Sequence, residues 1–159
     1  MTPAGERPLE SILAFLEEIG LSVREGFVAP GSFLPGIRVS GGVVVFDRAA
    51  MRWPGDLLHE AGHIATTPSA LRAALDDALE ASASVPHAGE VEATAWAYAA
   101  VVHLKLDASV LFHEGGYQGH SEGLVRSFGL GVYPGAHGLV QAGMTAAGTY
   151  PRMNRWMRE

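Results

Sequence analysis

The sequence predicts an α+β fold, a small antiparallel or mixed sheet packed against several helices. Two short β-branched runs, 37–40 and 43–46, are joined by Gly41-Gly42 and read as a hairpin. Long segments on either side carry apolar residues at helical spacing. No repeat and no low-complexity linker interrupts the 159 residues, so residues 1–159 are expected to form one domain.

Taken in order, residues 8–19 read as an amphipathic helix, with Leu9, Ile12, Leu13, Leu16 and Ile19 on one face and Gly20 as a stop. Residues 21–28 suit a short strand, and Pro30-Gly31 and Pro35-Gly36 punctuate a loop before the hairpin. A helix is expected to begin near Pro54, where proline fits a first helical position and Asp56 falls in the positively polarised first turn. Thr66-Thr67-Pro68 ends it. A further helix is expected over 69–81, with Leu71, Leu75 and Leu79 inward, then a loop over 82–89. The alanine-rich segment 90–106 is the strongest helix prediction. Beyond it the chain is rich in glycine, with short helices expected at 121–128 and 138–147.

Composition narrows the function classes. A formal net charge of -6 gives no support to nucleic-acid binding. Arg152, Arg155 and Arg158 make the C-terminal end locally basic, which reads as the solvated face of a terminal helix. The apolar stretch 91–112 contains Glu92, His103, Lys105 and Asp107, which argues against a membrane span. Glu6, Glu10, Glu17 and Glu18 do not suit a signal peptide, and the expected compartment is the cytoplasm. There are no cysteines, so a zinc site here must use histidine and carboxylate, the ligand set of catalytic sites.

The chemistry concentrates in His59-Glu60-Ala61-Gly62-His63. Helical positions four apart project from nearly the same face, so both imidazoles can reach one metal ion. Glu60 stands one residue round, within reach of a water activated there. This is the H-E-x-x-H pattern of zinc metallopeptidases. A catalytic zinc takes three protein ligands and leaves a position open. The metzincin continuation is absent, because Thr66 and Ser69 stand where its glycine and last histidine would be. Glu90 and Glu92, at the start of the next strong helix, are then the candidates for the third ligand. Glu92 is preferred, since Ala95 and Trp96 flank it one turn on and a buried carboxylate needs a partner or a cation. Both could also be exposed charges at a helix start.

Leu57-Leu58-His59-Glu60-Ala61-Gly62-His63, preceded by a hairpin and followed by Glu92-Ala93-Thr94-Ala95-Trp96-Ala97, resembles the ImmA/IrrE type of minimal gluzincin peptidase. The resemblance spans about residues 36–106 and implies a zincin-like fold holding one zinc ion. It implies His59, His63 and Glu92 as ligands, Glu60 as catalytic general base and acid, and a peptide or protein as substrate. Trp96 stands where that family usually has phenylalanine, and the region 113–144 resembles nothing in it.

That unassigned region holds the remaining candidates. Residues 112–120 pack His113, Tyr117, His120 and three glycines into one short stretch. A histidine or tyrosine beside the metal could stabilise an oxyanion, with His113 and Tyr117 as the expected catalytic partners and His120 and His137 as further candidates. The competing reading is a surface loop of ordinary polar residues. His103 lies roughly 16 Å along the helix from Glu92 and is read as a rim histidine. His87 is assigned nothing. A zincin used as a binding or regulatory module, with zinc held and little turnover, is the alternative to a peptidase.

Overall fold

In a computed structural model, residues 6–76 and 89–159 are described. The end of the helix expected over 69–81, most of the loop expected over 82–89, and His87 lie outside them. The architecture is α+β, with a three-stranded mixed sheet and several helices.

Helix α1, Glu6–Glu18, buries Leu9, Ile12, Phe15 and Leu16. It leads into β1, Val23–Glu25, and then through the loop to β2, Ile37–Ser40, and β3, Val43–Phe46. The sheet order is β1-β3-β2. β2 and β3 form the expected antiparallel hairpin, Ile37 opposite Phe46 and Ser40 opposite Val43. Gly41 and Gly42 both take positive φ, 57° and 76°, as a two-residue hairpin loop matched to strand twist requires. β1 joins the other side of β3 in parallel, Val23 opposite Val44. The central strand reads Val-Val-Val-Phe without alternation because both of its faces are covered; Val44, Val45 and Phe46 are buried.

Helix α2, Gly55–Thr66, starts immediately after Pro54 and carries the H-E-x-x-H residues. Every residue of it except Glu60 is buried. It lies between the sheet on one side and α3, Glu90–His103, on the other. Alanines let α3 be surrounded closely: Ala93, Ala95, Ala97, Ala99 and Ala100 are all fully buried. The segment 69–81 begins as a 3-10 helix, Ser69–Ala74, and not as the expected α-helix. Helices α4, Ser121–Gly129, and α5, Ala136–Gln141, follow, the second shorter than expected and starting two residues earlier.

The last residues form no helix and return to the core. Trp96 donates its indole N–H to the carbonyl of Trp156 at 2.9 Å, and Tyr150 donates to the carbonyl of Ala95 at 2.7 Å. The Arg158 backbone N–H donates to Ala65 and its guanidinium to the Thr66 carbonyl at 3.2 Å. Arg72 donates to the Ile64 and Thr67 carbonyls at 3.3 and 3.2 Å. Two guanidinium groups therefore satisfy the open carbonyls at the C-terminal end of α2, where positive charge is favoured. This corrects the expectation of a solvated terminal helix: Arg158 is a cap on the motif helix, while Arg152 and Arg155 are exposed. No helix among the described residues is long and apolar enough to cross a membrane.

Candidate metal centre

His59 and His63 sit one turn apart on α2, their rings 5.0 Å between centroids and nearly perpendicular. Both are buried, at 8% and 2% exposure. Their Nε2 atoms point at one carboxylate from the first turn of α3. It belongs to Glu90, with Oε2 3.0 Å from His59 Nε2 and Oε1 2.8 Å from His63 Nε2. His59, His63 and Glu90 together could hold a metal ion.

Of the two candidates it is Glu90, and not the preferred Glu92, that meets the imidazoles, which corrects that preference. Two residues along a helix rotate the side chain by roughly 200°, so only one of the pair can face α2. Gly62 decides which. A Cβ there would stand 2.6 Å from the Ala93 carbonyl oxygen, so the helices touch backbone to backbone at that point. With Ala93 turned to α2, Glu90 one turn earlier is on the same face. Trp96 goes the other way, against Phe15 and Trp156, and takes Glu92 with it. Glu92 lines a separate cavity of about 240 Å³ with Thr66, Gly138, Leu139, Gln141 and Arg158.

Glu60 is the half-buried member of α2. Burial pushes its carboxyl above the ordinary range, with Glu90 and Asp56 acting in the same direction and the rings of His63 and His59 opposing it. Glu60 lines a cleft of about 330 Å³ together with Gly31, Ser32, Phe33, Leu34, Ile37 and Arg38.

Behind His59 stands Tyr117. Its phenol oxygen is 3.4 Å from His59 Nδ1, on the ring edge away from Glu90, and the rings meet edge-on at 5.7 Å. When Nε2 offers its lone pair to a cation, Nδ1 carries the proton and donates to this phenol. Burial raises the phenol well above its usual range, so Tyr117 stays neutral. Its backbone adopts φ of 56°, unusual for a residue with a side chain.

His113 is buried and committed elsewhere. Its Nε2 lies 2.6 Å from Asp56 Oδ1, while the Gly115 N–H donates to its Nδ1 at 3.2 Å. Because Nδ1 accepts, the ring proton is on Nε2 and is donated to Asp56. The ring stacks on Trp53 at 4.3 Å with an interplanar angle of 5°. Asp56 is itself buried, and its other oxygen, Oδ2, has no hydrogen-bond partner among the described residues. Burial raises the Asp56 carboxyl and the bond from His113 pulls it back. Asp56, a first-turn charge by sequence, thus lies one turn before His59 and partners His113; its spacing of three residues from His59 is the signal for that position. His120 and His137 are exposed, and His103 packs at the rim against Phe15 and Trp156.

No protein-family model, no curated protein and no solved structure matches this chain.

Proposed function

We propose that this protein is a zinc-dependent peptidase of the gluzincin kind, with His59, His63 and Glu90 as ligands and Glu60 as proton carrier. The observation that carries this reading is the meeting of both Nε2 atoms with one carboxylate from a different helix, beside a glutamate that lines a cleft. Two neutral imidazoles and a carboxylate are the donor set of a catalytic zinc. Zinc ligands at about 2.1 Å stand roughly 3.4 Å apart in a tetrahedron, and one ligand atom from each of the three residues lies within 4.8 Å of the others. The stretch Glu92-Ala93-Thr94-Ala95-Trp96-Ala97, on which the family resemblance partly depends, turns Glu92 away from the imidazoles, so support for the reading rests on the donor set and on α2.

A zinc ion bound there would polarise a peptide carbonyl and acidify water in the cleft. Glu60 takes a proton from the attacking water on its carboxylate and returns it to the departing amine; the burial that raises its carboxyl favours holding that proton between the two steps. Tyr117 holds the ring of His59 in register and fixes its tautomer. Buried Asp56 and His113 brace the first turn of α2, which keeps the ligands in place before substrate arrives.

The test is Glu60→Gln, measured for metal content and for cleavage of a protein and peptide panel. Metal should remain at the parent level while hydrolysis falls by about 10²–10⁴-fold, the usual worth of a general acid–base. Undiminished cleavage by the variant would show that Glu60 does not carry the proton.

A further inference from the structure

The cleft at Glu60 has a mixed lining. Phe33, Leu34 and Ile37 are apolar, and Arg38, next to Ile37 on β2, carries a positive charge. Phe33 is 84% exposed and Phe27, on the same loop, is 80% exposed. Phe33 lines the cleft, so its bare ring offers an apolar surface to whatever enters there. Arg38 is exposed and forms no ion pair with any described residue. Its guanidinium offers up to five donors in a fork matched to carboxylate. At about 330 Å³ the cleft is near the small end of the roughly 300–1,000 Å³ typical of ligand sites, the size of a side chain or two.

We infer that this cleft selects peptide substrates in which a large apolar side chain lies next to an acidic residue, Phe33 and Leu34 taking the first and Arg38 pairing with the second. The inference rests on the peptidase reading for what happens at Glu60, but recognition itself needs only Arg38 and the apolar lining. The chain's net charge of -6 repels acidic peptides in general, so a preference for them can come only from a local cation.

The experiment uses the full chain carrying Glu60→Gln, so that bound peptide is not cut, and fluorescein-labelled peptides with the centres Glu-Phe-Glu, Lys-Phe-Lys and Glu-Ala-Glu. Fluorescence anisotropy gives the dissociation constants. Glu-Phe-Glu is expected to bind about fivefold or more tightly than Lys-Phe-Lys, as a partly exposed charge contact allows. Adding Arg38→Glu should reverse that order, and Arg38→Gln should abolish it if the reversal variant does not fold. Phe33→Ala should reduce the margin of Glu-Phe-Glu over Glu-Ala-Glu. Equal affinity for the acidic and basic peptides, an order unchanged by the Arg38 variants, or no saturable binding up to millimolar peptide would each overturn the inference. Selective binding without cleavage by the parent protein would count against the peptidase reading alone; cleavage without charge preference would count against this inference alone.

Discussion

Replacing Gly62 with alanine adds one methyl group where α2 and α3 cross. In an ordinary helix interior this change stabilises by about 0.5–1 kcal/mol, because alanine loses less conformational freedom on folding. Here the new Cβ would lie 2.6 Å from the Ala93 oxygen and 3.2 and 3.3 Å from the Ala93 Cα and carbonyl carbon. All three are backbone atoms, so no side chain can turn aside. Reaching ordinary contact needs α3 to withdraw by about 0.8 Å at that point, an overpacking that costs about 1–3 kcal/mol. The net expectation is a loss of up to about 2.5 kcal/mol, centred near 1 kcal/mol, and at that centre a Tm lowered by roughly 2–4 °C for a chain of this size. Glu90 moves with α3, so metal affinity should fall by about 10–100-fold, as when a metal site loses its support. Gly123→Ala in α4 is the control, since nothing lies within 4 Å of its Cβ position; it should gain the helix-propensity increment and leave metal binding alone. Denaturation in the presence of chelator reads stability, and competition with a chromophoric chelator reads affinity. If Gly62→Ala behaves like the control in both assays, the close crossing that aims Glu90 does not exist.

Two other perturbations follow from the surroundings of the site. Tyr117→Phe removes the phenol beside His59 Nδ1 and should weaken metal binding by about tenfold in a competition assay without lowering the Tm of the metal-free protein. His113→Ala leaves the buried Asp56 carboxylate without its donor and should cost about 2–4 kcal/mol at neutral pH by urea denaturation. The His113 bond lowers the Asp56 pKa, so its removal raises that pKa further, and the folded variant then takes up a proton at higher pH. The deficit should therefore be largest above the raised Asp56 pKa and shrink as pH falls toward the ordinary carboxylate range; a deficit independent of pH would contradict the assignment.

Much of this was readable from local pattern. The hairpin declared itself through β-branched runs around two glycines, and α2 through Pro54 and apolar spacing, because each depends on a few adjacent residues. The choice between Glu90 and Glu92 did not, since an alanine-rich helix with little amphipathic contrast does not announce which face is inward. That face is set by the fit of Ala93 against Gly62 and by the pull of Trp96 toward Phe15 and Trp156, contacts between residues far apart in sequence. His113 looked like a candidate at the reacting centre, but its partner lies 57 residues away, and only the fold shows that Asp56 and Trp53 hold it. The tail likewise seemed to be a basic helix, whereas Trp156 and Arg158 return to α3 and α2.

The most direct measurement is the metal content of the parent, Glu90→Gln and Glu92→Gln proteins, purified without chelator and analysed by elemental mass spectrometry. One zinc per chain in the parent and in Glu92→Gln, with little or none in Glu90→Gln, is the expected result. Metal retained by Glu90→Gln and lost from Glu92→Gln would contradict the proposed coordination of His59, His63 and Glu90.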